Sequence, residues 1–248
     1  MTPVRFSVTF PLRTAGVVAA LAAGVALTGC APSPPPPPQD PFEGYNRAMT
    51  TLNDNVDKAI LKPVATGYKE VVPSPVRTGV TNFFGNLNDL WTMVNYALQG
   101  NGEKAYIHMV RFSTNTVLGL GGVLDIATEM QLPREKQDFG LTLGHWGVKP
   151  GPYLVLPLLG PSTVRDTVAL PADWLGHPAD SMHPVSTRNT LAGLRLVNVR
   201  ANVLDATDTL DAASLDRYAL MRDFYLKQRD TAKPREDDNA GRVESYED

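Results

Sequence analysis

Cysteine occurs once in this chain, at Cys30, and its position limits every fold the chain can adopt. It ends the tetrapeptide Leu27-Thr28-Gly29-Cys30. Before it come a basic start carrying Arg5 and Arg13 and an apolar or small-residue run from Thr14 to Leu27. That run is shorter than the ~20 residues a spanning helix needs, and it closes in small residues, as a cleaved secretory signal does. The tetrapeptide reads as a lipobox: residues 1–29 are a cleaved signal, and the Cys30 thiol carries lipid. The fold must then be built without a disulfide, a thiolate metal cluster or a cysteine nucleophile. Two lipid signals already give stable membrane attachment, and the three-chain modification of a bacterial lipoprotein exceeds that. Ala31, in place of an aspartate, favours the outer over the inner membrane.

Two of the 23 basic residues, Arg5 and Arg13, leave with the signal, and none of the 26 acidic ones does, which moves the formal charge from −3 to −5. A mildly acidic chain without a basic stripe is not built for nucleic acid. The roughly 219 residues that remain suffice for one sizeable domain. Outside the signal no apolar run reaches 18 residues, so any membrane insertion beyond the lipid must come from amphipathic surfaces.

Residues 30–41 are the lipidated cysteine and a spacer, APSPPPPPQDP, whose prolines favour extended polyproline II at ~3.1 Å per residue, roughly 34 Å in all. The domain proper is expected over 42–229. Tyr45, Met49, Leu52, Val56 and Ile60 recur at steps of three and four and mark an amphipathic helix that Pro63 should end. Ser74-Pro75 reads as a second helix start, with Val76, Val80, Phe83 and Leu87 on one stripe. Asn88 is placed to cap a third helix bearing Leu90, Val94 and Leu98 and closed by Gly100. Asn101 caps a fourth through Tyr106, Val110 and Val117. Such stripes are expected to face a core or a neighbouring helix.

The middle of the chain departs from this pattern. Residues 139–161 are rich in glycine, proline and aliphatics, and Tyr153 to Leu159, broken by Pro157, fits a buried strand or a tight extended turn. Its apolar character beside Trp146 makes Trp146, Tyr153, Leu154 and Leu156 candidates for a surface that dips into an interface, with core packing as the alternative. Ser162 is placed to cap a helix through Leu170, followed by a loop from Pro171 to Pro184. A long helix follows from Thr187, then a last one capped by Ser214. The charged segment 230–248 has the composition of a disordered tail.

A search for chemistry finds no catalytic set. Gly160-Pro-Ser162-Thr-Val lacks the nucleophile-elbow pattern, and Gly119-Leu-Gly121-Gly122 lacks dinucleotide spacing. His177 and His183 with Asp173 and Asp180 lie in a proline-rich stretch without the i, i+4 spacing of helix-borne ligands, so no metal site is assigned. His108 and His145 read as structural histidines, and Asp54, Asp57 and Glu70 form no acid/base pair.

Six segments together resemble the MlaA, or VacJ, family of outer-membrane lipoproteins. They are Asp40-Pro-Phe-Glu-Gly-Tyr-Asn-Arg47, Arg111-Phe-Ser-Thr-Asn-Thr-Val-Leu-Gly-Leu-Gly-Gly122, Asp138-Phe-Gly-Leu-Thr-Leu-Gly-His-Trp-Gly147, Gly151-Pro-Tyr-Leu-Val-Leu-Pro157, Gly160-Pro-Ser-Thr-Val-Arg-Asp166, and Tyr218 through Tyr225-Leu-Lys-Gln-Arg229. The resemblance implies a mainly α, ring-like bundle of amphipathic helices lying in one leaflet, with an amphipathic channel. Through it, mislocalised phospholipid would leave the outer leaflet for a periplasmic lipid carrier, which maintains lipid asymmetry. It further implies trimeric porins as partners, no cofactor and no enzymatic chemistry. The competing expectation is a periplasmic lipoprotein scaffold with no lipid path.

Overall fold

The computed structural model describes residues 40–231; Cys30, the spacer up to residue 39 and the chain beyond Thr231 lie outside the described residues. Helix α1 (Glu43–Val56) does not stop before Pro63. It passes through a single π-turn, Asp57–Leu61, directly into α2 (Lys62–Val71). Proline ends a helix because its ring meets the carbonyl of the preceding turn. The wide turn just ahead of Pro63 clears that carbonyl, so the helical path continues where the sequence predicts a break.

The two helices expected on either side of Asn88 are one, α3 (Ser74–Leu98). Pro73, not Ser74, stands at its N-cap, and Asn88 spends its amide inside the helix on the Thr92 hydroxyl, at 3.2 Å. Gly100, at φ 75°, then turns the chain into α4 (Gly102–Val117), which Asn101 caps by accepting from the Lys104 N–H at 3.0 Å.

The decisive departure concerns which faces point inward. On α3 the buried positions include Asn86, Asp89, Thr92, Asn95 and Tyr96, and on α4 they are His108, Arg111 and Asn115. Of the apolar stripes read from the sequence, Val76, Leu98, Tyr106 and Val117 are exposed, while Val80, Phe83, Leu87, Leu90, Val94 and Val110 are half-buried. Across the described residues more polar than apolar side chains are buried, and the apolar core reduces to two small clusters. One is Ala65, Ala201 and Leu204 under Tyr68; the other is Tyr153, Val155 and Tyr218 with Met49, Tyr225 and Leu226.

The polar interior is closed by complementary charge. Asp89, fully buried, accepts at 2.9 Å from the His108 ring and lies 3.4 Å from the Arg111 guanidinium. Arg111 also reaches Asp125 at 3.1 Å, and Asn115 donates to the same carboxylate at 2.9 Å while accepting from the Ala127 N–H at 2.9 Å. Hydrogen bonds from Thr128 and Asn115, with the Arg134 and Arg111 charges, outweigh the desolvation of Asp125 and hold its carboxyl below the usual range. His108 is thus a structural histidine, stacked on Tyr96 at 5.6 Å.

The short helix α5 (Ile126–Glu129) follows, and Asp138 caps α6 (Phe139–His145) by accepting from the Leu141 N–H at 2.9 Å. Tyr153 to Leu159 takes the strand alternative: β1 (Tyr153–Leu156) and β2 (Gly160–Thr163) form an antiparallel hairpin in the register Tyr153↔Thr163 to Leu156↔Gly160. Thr163 rather than Ser162 caps α7 (Val164–Gly176), and the helix runs through Pro171 where a loop was expected. It survives the missing N–H because its C-terminal half is pinned: Asp173 accepts from the Trp91 indole and from the Phe139 N–H, both at 2.8 Å. A 3₁₀ turn, Pro178–Ser181, leads to α8 (Val185–Ala213) and α9 (Arg217–Thr231). Ser214 ends α8 instead of capping α9, a role taken by Asp216 through the Ala219 N–H at 3.2 Å.

Contacts run from α1 to β1, from β2 to α7, from α7 through the 3₁₀ turn to α8, from α8 to α2, and back through the π-turn to α1. These contacts link the elements in a closed circuit, and the described residues are mainly α, with one two-stranded hairpin, as expected. Among the described residues no helix is long and apolar enough to cross a membrane.

Replacing Asp89 with Ala takes from buried Arg111 and His108 the carboxylate they share and leaves Asp125 as the remaining one on Arg111. The expected loss is about 3–5 kcal/mol, read from chemical denaturation of the detergent-solubilised protein followed by tryptophan fluorescence.

Candidate functional site

The hairpin is mounted on α1 by two asparagines that imitate a neighbouring strand. Asn46 donates to the Tyr153 carbonyl at 3.1 Å and accepts from the Val155 N–H at 2.8 Å. Asn53 repeats the pair seven residues on, donating to the Leu156 carbonyl at 3.0 Å and accepting from the Leu158 N–H at 2.7 Å. Seven residues of helix advance about 10.5 Å and three residues of strand about 10 Å, so the two spacings match. The outer edge of β1, which a two-stranded sheet would leave unpaired, is thereby satisfied.

Below the hairpin lies a dense polar and aromatic foundation. Asn46 also donates to Asp40 at 2.8 Å, and the Tyr218 hydroxyl and Arg222 reach the same carboxylate. Asp40, assigned by sequence to the spacer, is fully buried and belongs to the domain. Tyr153 packs its ring 6.2 Å from Tyr218 and 6.1 Å from Tyr225, and its hydroxyl is pushed up to about 12 by burial and by the Asp40 charge. With 1% of its surface exposed, Tyr153 is a core residue, which corrects its expected place on a rim.

Leu154 and Leu156 are half-buried. The outermost apolar groups are Leu158 and Leu159 at the tip, 70% and 58% exposed. Leu158 sits at φ 64°, a left-handed conformation that a leucine adopts at a cost, and Gly160 follows at φ 84°. The sequence carried a signal for this tip in Pro157-Leu-Leu-Gly160, a turn made of apolar residues. Trp146 is half-exposed; its indole donates to the Leu98 carbonyl at 3.1 Å and its ring stands edge-on to Phe139 at 6.0 Å. It shares neither hydrogen bonds nor ring contacts with the hairpin, so the four candidates do not form one cluster.

A second polar group ties α9 to α6 and α7. Arg229 contacts Asp138 at 2.6 Å, the Tyr225 hydroxyl donates to Asp166 at 2.8 Å, and Arg165 lies 2.9 Å from Asp166. Burial would lower the Arg229 pKa, but the charges of Asp138, Tyr225 and Asp166 and the hydrogen bond to Asp138 together outweigh it and raise it above the usual arginine value. Beside this group a cleft of about 450 Å³ opens between Pro150, Gly151, Arg165 and Leu226.

Large apolar side chains are exposed on several elements. The loop after α4 exposes Leu118, Leu120 and Leu124, and α7 exposes Val164, Val168, Trp174 and Leu175. An aliphatic skin over a polar interior suits a protein whose surroundings are hydrocarbon. The same inventory, exposed aliphatics with ion-paired carboxylates inside, can partition lipid tails from headgroups.

His177, missed as a core residue, is buried, and neither ring nitrogen makes a hydrogen bond. Burial, aided by the Arg195 charge and opposed by Asp180, lowers its pKa from 6.5 to about 4. Between those values the unfolded chain takes up a proton that the folded one refuses. Stability is therefore full above pH 6.5 and falls as pH drops toward about 4. A His177→Phe variant should flatten that fall in melting curves taken across the same range. Replacing Asn53 with Ala removes two bonds from the hairpin tip, and amide exchange at Leu158 should speed roughly tenfold, the cost of about one net hydrogen bond, with Val155 unchanged.

Comparison with known proteins places this architecture. The model of the MlaA lipoprotein family matches residues 38–232. The intermembrane phospholipid transport system lipoprotein MlaA of Escherichia coli (strain K12) is 39% identical over 92% of this chain and 95% of its own length. Its namesake in Haemophilus influenzae is 32% identical over 87% and 89%. A solved structure described as the structural basis for maintenance of bacterial outer membrane lipid asymmetry superposes with a TM-score of 0.65 at 38% identity, covering 78% of this chain and 98% of that one. An aliphatic skin, a charged interior, an asparagine-mounted hairpin and these likenesses converge: the chain belongs to the MlaA lipoprotein family.

Proposed function

We propose that this protein is an outer-membrane lipoprotein that removes mislocalised phospholipid from the outer leaflet and hands it to a periplasmic carrier, maintaining lipid asymmetry. The observation that carries the reading is the distribution of polarity: buried Asp89, Arg111, Asn46 and Asp40 within a circuit of helices that expose many large apolar side chains. A phospholipid crossing protein needs polar partners for its headgroup and apolar surface for its tails, because an unpaired charge in hydrocarbon is costly. The names of the similar proteins, intermembrane phospholipid transport lipoproteins, support the same substrate. Lipid on Cys30 tethers the domain to the periplasmic leaflet, and trimeric porins in that membrane are its partners. The protein acts by binding and passage, with no covalent chemistry and no cofactor.

Deletion of the protein should raise phospholipid in the outer leaflet, measured by surface-accessible lipid labelling, and raise sensitivity to detergent with chelator. The intact chain should restore both. A Cys30→Ala chain with a cleavable signal should fail to restore them and fractionate away from the outer membrane. Unchanged asymmetry after deletion would instead indicate a scaffold without a lipid path.

A further inference from the structure

Between the N-terminal half of α3 and the start of α8 lies an open trough of about 480 Å³ that the hairpin, the polar interior and the Arg165 cleft do not share. Val76, Val80 and Phe83 form one wall, Leu191 and Leu194 the other, and Val123 closes an end. Gly79 makes this closure possible, since a Cβ there would stand 2.9 Å from a Val123 methyl. Every side chain around the trough is apolar, and Pro75 at its head has no N–H to offer.

That lining selects its occupant. A peptide strand or a headgroup brings polar groups that must find partners when buried, and here the walls offer none. A hydrocarbon chain needs none. The volume lies within the 300–1,000 Å³ typical of small-ligand sites, and Val76 to Phe83 spans about 10.5 Å of helix, which suits one extended alkyl chain. The trough is open at its edges, where Val76 and Val123 are exposed, and the loop that carries Val123 also exposes Leu120 and Leu124. We infer that the α3–α8 trough holds one acyl chain of a phospholipid, at a place separate from the polar interior. This rests on the phospholipid reading above and adds a defined seat for a tail at the protein's periphery.

The test uses the full-length lipidated protein in phosphatidylethanolamine vesicles doped with a phosphatidylethanolamine whose acyl terminus carries a diazirine, followed by peptide mapping of adducts. Adducts should concentrate on Val76, Val80, Leu191 and Leu194 as well as on the exposed tip at Leu158 and Leu159. Leu191→Trp should lower trough adducts roughly tenfold, the change expected when about two methylene groups lose their burial, and leave tip adducts unchanged. Val80→Phe, which plugs from the opposite wall, should reproduce the loss should the first variant fold poorly. Adducts at the tip but not in the trough would overturn this proposal and leave the transport reading intact. Crosslinks from the trough to a polypeptide would overturn it in favour of a protein occupant. Adducts nowhere on the domain would remove both readings.

Discussion

The buried pair of Asp89 and Arg111 is the constraint from which the rest of the structure follows. A carboxylate and a guanidinium taken out of water are stable only when each remaining lone pair and N–H is matched. The neighbouring chain is arranged to do that. His108 and Arg134 approach the carboxylate, while the Leu132 carbonyl, Asp125 and Thr128 take the guanidinium donors. These partners come from α3, α4, α5 and the segment before α6, so one ion pair gathers four stretches of chain. Small displacements among them would cost more than in an aliphatic core, where packing is forgiving of chemistry if not of volume.

The same reliance on polar specificity recurs at the hairpin and at α9. Asn46 and Asn53 supply side-chain amides where another fold would supply a strand, and Asp40 anchors the first of them and is itself held by Tyr218 and Arg222 from the other end of the domain. The hairpin's tip is left with aliphatic side chains and a left-handed leucine, while its base is held by hydrogen bonds. A second set of pairs joins the C-terminal half of α8 to the first helices, with Lys69 to Asp205, Lys62 to Asp208 and Arg200 to Asp57, each at 2.7 Å. These are exposed or partly so and contribute little individually, but they set the alignment of α2 against α8.

The sequence shows its helices readily and its orientation poorly. Periodicity at three and four residues located α1, α4 and α8, and Asn101 was legible as a cap because an amide at that position has one local use. Breaks were overread: Pro63 and Pro171 lie within continuous helical paths because a π-turn and a pinned C-terminal half accommodate them. A stripe such as Tyr106, Val110 and Val117 is expected to face a core or a neighbouring helix, yet Tyr106 and Val117 are exposed and only Val110 is half-buried. Asn86, Asp89, Thr92 and Asn95, spaced just as regularly on the opposite face, carried the true interior, but isolated polar residues in a sequence do not announce their partners. For the same reason core packing is legible for Tyr153 as one of two readings, but its partners are not, since Tyr218 and Tyr225 lie far along the chain.

The scarcity of buried aliphatic surface has a thermodynamic corollary. In an aqueous protein the hydrophobic effect acts between one part of the chain and another, and the folded state carries its own driving force wherever it goes. Here the two apolar clusters are too small to supply much of it, and many large apolar side chains are exposed. Under the proposed function that area meets the bilayer, and the gain from burying it belongs to the boundary between protein and lipid. Stability would then be a property of place as much as of sequence, and lipid on Cys30 would select the solvent in which the remaining residues have a native state.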